Sequence, residues 1–266
     1  MPSFFTPLFF SKRAGRHESI PALSQLTGWL LAMLLVAMVF TFSFQKLQYN
    51  WNWSAVLVYR HKFLTGWLTT VCISAVALCC SLLIGLATAL VRRCRFLPAR
   101  SLAAIYVELI RGTPLLVQIL VFFYVVADSF GVSNRYLAGV ITLSLFAGAY
   151  ISEIIRAGIE SVGESQLDSA RAIGLNRWQT YRYVIFPQVL RRLLPPLAGQ
   201  FASIIKDSSL LSIIAVSEFT LNAQEVNAFT YSTLESYLPL AVGYLLLTLP
   251  ISLTSRVLER KHDYAT

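Results

Sequence analysis

Charge is scarce in this sequence: only 13% of its 266 residues are Asp, Glu, Lys or Arg, while 56% are apolar. An average soluble domain carries ~25% charged residues, so too little polar surface remains here to cover a soluble globule. Cysteine and histidine are sparse as well. Cys72, Cys79, Cys80 and Cys94 lie within or just after one apolar run, with neither metal-ligand spacing nor a loop to staple, which casts them as small packing residues. His17, His61 and His262 stand far apart, so no metal site is expected. No stretch matches G-x-x-x-x-G-K-[ST], which leaves the chain without that phosphate-cradling loop.

Apolar residues, by contrast, are abundant and gather into runs near or above the ~18 to 20 needed to cross a ~30 Å hydrocarbon core as a helix. Spans are expected at about 25–44, 63–91, 101–127, 135–157, 190–216 and 237–256. The fold class is therefore an all-α integral membrane protein with about six transmembrane helices. Ala77, Ser81, Gly85 and Ala89 recur every fourth residue in the second run, as do Ser144, Gly148 and Ser152 in the fourth. Such stripes let helix backbones approach closely.

The net charge of +9 is spread in short clusters beside the apolar runs, the way membrane topology is encoded, and nucleic acid is not an expected partner. Lys12, Arg13 and Arg16, then Arg92, Arg93 and Arg95, then Arg171, Arg177 and Arg182, then Arg256, Arg260 and Lys261 all fall on one side if both termini are cytoplasmic. The opposite loops hold Lys46, Arg60, Lys62 and Arg135. The first run is long and lacks a clear small-x-small cleavage site, so it reads as an uncleaved anchor.

The cytoplasmic segment 158–187 is polar. Within it Ser165 followed by Asp168 resembles a capping box, and Gly174 suits the left-handed residue that ends a helix. Asn176 is placed to cap a second helix, whose Trp178, Tyr181 and Ile185 recur at helical spacing until Pro187 stops it. Two short helices at a glycine elbow, too short to be stable alone, need something to pack against. Acidic and basic residues balance there, unlike an anionic-lipid or nucleic-acid patch, and a protein partner fits better, with an amphipathic loop lying on the bilayer as the alternative.

This segment resembles the coupling loop of permease subunits of type I ATP-binding-cassette importers: EAA, three residues, Gly, nine residues, then I-x-L-P. Here it reads Asp168-Ser169-Ala170, Gly174, then Val184-Ile185-Phe186-Pro187. The spacing matches throughout, and the departures keep acidity, small size or apolarity. ELIRGTPLLVQ (108–118), SEIIRAGIESV (152–162), PQVLRRLLPPL (187–197) and KDSSLLS (206–212) narrow the resemblance to the polar amino-acid uptake subfamily, which usually has Gly at Ser165 and Asn at Gln200. The likeness runs from about residue 63 to the end.

The resemblance implies one N-terminal helix plus a five-helix permease core. Residues 1–62 would be the cytoplasmic N-terminus, first helix and extracytoplasmic loop, 63–256 the core, and 257–266 a cytoplasmic tail. It further implies a multi-pass protein of the bacterial plasma (inner) membrane that is not itself an enzyme. ATP and Mg would bind a partner ATPase, which receives Asp168, Ser169, Ala170, Gly174 and Pro187. A second permease subunit, the same or homologous, and an extracytoplasmic amino-acid-binding protein complete the assembly.

Charges at membrane depth cost roughly 2.5 to 3.5 kcal/mol and are functional candidates. Glu108, Arg111, Glu153, Lys206 and Asp207 are therefore candidates for the translocation path. Gly112-Thr113-Pro114 interrupts the third run and predicts a kinked or broken helix. Glu108 and Arg111 then either border a substrate route or pair locally. Lys206 and Asp207, adjacent and so about 100° apart on a helix, either receive a zwitterionic amino acid or pair with other helices, and Asp207 is placed to cap a new segment at Ser208. The alternative function is an ion-gradient-driven secondary transporter or channel subunit. A membrane-embedded enzyme ranks last, since no His, Cys or carboxylate cluster has catalytic spacing.

Overall fold

The computed structural model describes residues 22–46 and 49–263. The N-terminal basic cluster at Lys12, Arg13 and Arg16 and the last three residues of the tail lie outside them. Two compact units part between Trp51 and Asn52. In the first unit, α1 (Ala22–Lys46) carries no charge before Lys46, and two of its hydroxyls are satisfied within the helix. Thr41 Oγ1 donates to Ala37 O at 2.7 Å and Ser43 Oγ to Val39 O at 2.8 Å, which suits a lipid environment without other partners. Trp51 then gathers Phe44 and Tyr49 around it, at 6.0 and 5.3 Å between ring centroids, as aromatic residues do at a membrane boundary.

The second unit is helical. It comprises α2 (Trp53–Leu57), α3 (Arg60–Val91), α4 (Leu97–Gly112), α5 (Leu115–Val121, continued by a π turn at Phe122–Ala127) and α6 (Arg135–Glu160). After these come α7 (Glu164–Ala172), α8 (Arg177–Gln179), a π turn at Thr180–Ile185, and α9 (Phe186–Asp207) with a 3-10 turn at Ser208–Ile214. The chain finishes with α10 (Phe219–Thr230) and α11 (Thr233–Asp263), the last running past the expected end at 256. The short α2 packs on α10 and α11, which is why residues 52–62 group with the core.

Four helices among the described residues are long and apolar enough to cross a membrane: α1, α3, α6 and α11, or five if α4 and the segment after it form one broken span. Arg191, Arg192, Lys206 and Asp207 keep α9 out of that group.

The central contact is α3 against α6. Ala77, Ser81, Gly85 and Ala89 are all buried, as are Ser144, Gly148 and Ser152 on the facing helix, so both small-residue stripes serve backbone approach. Leu115, Ile119, Ile204, Leu211 and Ile214 close over this pair to form the core. Cys72 and Cys79 are exposed and contribute no packing inside the chain, contrary to expectation. They occupy the outward face because the buried stripe of α3 runs through Ile73, Ala77 and Ser81 instead.

The break at Gly112-Thr113-Pro114 is real: Thr113 is extended (φ −124°, ψ 148°) and the chain turns by 113°. Gln118 stitches the corner. Its Nε2 donates to Ile110 O at 2.7 Å, Thr113 O at 3.0 Å and Thr113 Oγ1 at 2.8 Å, covering carbonyls that the missing proline N–H leaves open.

No element was expected between 216 and 237, yet α10 sits there, capped by the fully buried Glu218. The Glu218 carboxylate accepts from the backbone N–H groups of Thr220 and Leu221, both at 2.8 Å, and from Tyr244 Oη at 3.0 Å, while Thr70 Oγ1 receives the N–H of Phe219 at 3.1 Å. Burial pushes the Glu218 carboxyl up from its ordinary range, against the pull of those donors. One side chain thereby ties α10 to α3 and α11.

Candidate functional site

The polar segment folds as a helix that stands on the end of the bundle. Gly163 is the N-cap of α7, and no side chain caps it. The Ser165–Asp168 capping box is therefore not formed: the helix starts one residue before Ser165, which lies inside it and whose carbonyl accepts from Ser169 Oγ at 2.8 Å. Asp168 instead pairs with Arg171 at 2.9 Å, exposed on both sides. Gly174 ends the turn at φ +78°, a left-handed conformation that suits glycine, and Leu175 N–H closes it on Ala170 O at 3.0 Å.

Asp168, Ser169 and Gly174 face outward, whereas Ala170 is buried at 3% exposure. The small size of Ala170 thus lets α7 lie on its own chain, against the π turn that follows. Around the outer face Ile173, Trp178 and Tyr183 are 75%, 72% and 70% exposed, more apolar surface than a solvated loop would leave bare.

Asn176 caps the next helix as expected, with a reciprocal box: Gln179 N–H donates to Asn176 Oδ1 at 2.8 Å and Asn176 N–H to Gln179 Oε1 at 2.9 Å. Pro187 does not stop that helix. The chain stays helical from Arg177 to Asp207, because the π turn at Thr180–Ile185 shifts the hydrogen-bond register just before the residue that has no N–H to give. Gln188 Nε2 reaches back to Gln166 Oε1 and to Val184 O at 3.0 Å, and Arg192 donates to Ser161 O. Both tie α7 and its approach to α9.

The five intramembrane candidates do not converge. Arg111 pairs with Glu153 at 3.5 Å, not with Glu108, and its guanidinium lies 5.6 Å from the centroid of the Tyr150 ring. Glu108 is exposed and has no ion pair among the described residues, since Arg111 turns to Glu153 on α6 instead. Glu153 is the centre of a wider cluster. Arg156 binds it with Nη2 at 2.8 Å and Nε at 3.2 Å, Arg92 reaches it from the end of α3, and Glu160 takes the other end of Arg156. Sequence reading missed Arg92 in this role, though the 153–156–160 spacing of one helix face was visible.

Lys206 is exposed and Asp207 half-buried, and neither forms an ion pair among the described residues. Asp207 does not cap Ser208: the backbone continues helically through it and tightens into the 3-10 turn, so no free N–H group faces its carboxylate.

Comparison with known proteins places this geometry. The family described as "Binding-protein-dependent transport system inner membrane component" matches residues 81–264. The glutamine transport system permease protein GlnP of Escherichia coli (strain K12) is 37% identical over 214 residues, covering 80% of this chain and 98% of that protein. The L-cystine transport system permease protein TcyB of Bacillus subtilis (strain 168) is 41% identical over 184 residues, 68% of this chain and 78% of that one. A solved structure described as "Crystal structure of an amino acid ABC transporter with histidines" superposes with a TM-score of 0.74 at 33% identity, over 80% of this chain and 100% of that chain. Helical architecture, apolar spans, loop spacing and these matches agree, and the chain belongs to the inner-membrane component family of binding-protein-dependent transport systems, the permeases of ATP-binding-cassette importers.

Proposed function

We propose that the chain lines the translocation path of an ATP-driven amino-acid importer and couples it to hydrolysis on a separate ATPase subunit. The observation that carries this reading is α7: a short helix ending at a left-handed Gly174, with Ile173 and Trp178 exposed beside it. Such a knob fits a cleft in a cytoplasmic partner, with Asp168 and Ser169 on its outer face and Pro187 at the root of the following helix. Closure of the ATPase around ATP and Mg would press on α7. The Gln166–Gln188 and Ser161–Arg192 links would pass that displacement to α9, whose far end carries Lys206 and Asp207.

The remaining parts follow. Both termini lie on the cytoplasmic side, a second permease subunit completes the pore, and an extracytoplasmic binding protein delivers a polar amino acid whose two charges suit a path bearing both signs. Glu108, Arg111 and Glu153 stand toward its cytoplasmic end. The relatives named for glutamine and cystine transport support this substrate class.

Reconstitution with the ATPase subunits and binding protein tests the proposal. Uptake into vesicles should require internal ATP and survive an uncoupler. Uptake that persists without ATP and collapses with the uncoupler would establish a gradient-driven carrier instead.

A further inference from the structure

Between α3 and α4 lies a groove of about 580 Å³, lined by Ala87 and Val91 on one side and by Phe96, Ala99, Leu102 and Ala103 on the other. That volume is within the ~300 to 1,000 Å³ typical of small-molecule sites. Three alanines leave the space that larger side chains would fill. Tyr106 also lines it, with its hydroxyl already engaged with Leu145 O, and Thr88 adds the one other hydroxyl, so the lining is mainly apolar.

The mouth is the opposite in character. Val91 and Phe96, both lining the groove, bracket the turn Arg92–Arg95. Arg92 is held by Glu153. Arg93, Arg95 and Arg100 are exposed and have no acidic partner among the described residues. Free guanidinium groups at the rim of an apolar slot at a membrane boundary match one ligand chemistry, a phosphate joined to an acyl chain.

We propose that this groove binds an anionic phospholipid of the adjacent leaflet, one acyl chain in the slot and the phosphate on Arg93, Arg95 and Arg100. The proposal is independent of which solute the protein carries.

Native mass spectrometry of the full-length chain in neutral detergent, with equal amounts of phosphatidylglycerol and phosphatidylcholine, tests it. Phosphatidylglycerol should be retained preferentially. R93Q/R95Q/R100Q should lower that retention on the order of tenfold, while R93K/R95K/R100K keeps most of it, since lysine still supplies the charge. Ala103→Trp, which fills the slot, should also lower it and carries the test if the glutamine variant fails to assemble. Equal retention of both lipids overturns the proposal. So does undiminished retention in Ala103→Trp, or displacement by glycerol 3-phosphate as readily as by the lipid, since either makes the slot irrelevant. A changed protomer count in Ala103→Trp would assign the groove to a second copy of the chain and equally overturn it.

Discussion

Ile151 sits on Gly85: a Cβ at Gly85 would fall 2.5 Å from Ile151 Cγ2 and 3.0 Å from the carbonyl oxygen of Gly148. The reciprocal contact, Gly148 against Ile84 Cγ2 at 2.7 Å, makes the α3–α6 interface a pair of interlocked glycine and isoleucine contacts. Gly85→Leu cannot be accommodated by a side-chain rotation alone, because one obstacle is backbone. We expect a loss of about 1 to 3 kcal/mol, read as a lower melting temperature in detergent. Gly112→Ala, with nothing within 4 Å, should melt as the parent does.

The carboxylate of Glu153 is 16% exposed and holds Arg92, Arg111 and Arg156. Glu153→Gln leaves three guanidinium groups repelling one another at the end of α3, α4 and α6. Removing one partner of a fully buried pair costs roughly 3 to 5 kcal/mol. Arg111 and Arg156 are each 40% exposed, and solvent screening reduces the expected loss to about 1 to 2 kcal/mol. A double-mutant cycle with Arg92→Gln, followed by thermal melting, should recover part of that loss.

A Cβ at Gly174 meets nothing within 4 Å, yet φ is +78°. Any substitution there acts through the backbone and not through a clash. Gly174→Val should cost about 1 to 2 kcal/mol of local order at the end of α7 and reduce ATP-dependent uptake sharply. Gly174→Asn, which tolerates the left-handed region, should retain most of it. Equal uptake in both variants would detach the glycine elbow from coupling.

Ile173 and Trp178 are three-quarters exposed, so truncating them removes little from the fold. If they anchor a partner, Ile173→Ala with Trp178→Ala should weaken co-purification of the ATPase subunit on the order of tenfold or more. The melting temperature of the permease alone should stay unchanged. An unaltered yield of ATPase subunit would rule out this face as the contact.

The features legible in the sequence are those whose cause is local. Apolar runs announced the long helices, Pro114 announced the corner, and Gly174 and Asn176 announced their turns, because each acts through its own backbone or its neighbours. Features that rest on distant partners were not legible. Arg92 meets Glu153 across 61 positions, and Thr70 meets Glu218 across 148. A glutamate N-cap on α10 gives no pattern of the serine or asparagine kind, so no start signal marks that helix in the sequence. Pro187 misled for a related reason: a single π turn absorbs its missing donor, and nothing in TYRYVIFP distinguishes that from a stop. Ser165 and Asp168 have the right spacing for a cap, but Gly163 starts the helix without any side chain.

Gln118, on the second arm of the 113° corner, bonds to Ile110 on the first arm and to Thr113 within the break. A bend built on proline alone would be a swivel, free to change angle whenever neighbouring helices moved. The two N–H groups of one amide, shared among three acceptors, make it a bracket. Motion of either arm must then be carried through the other, and a leucine at this position would turn a rigid joint into a loose one.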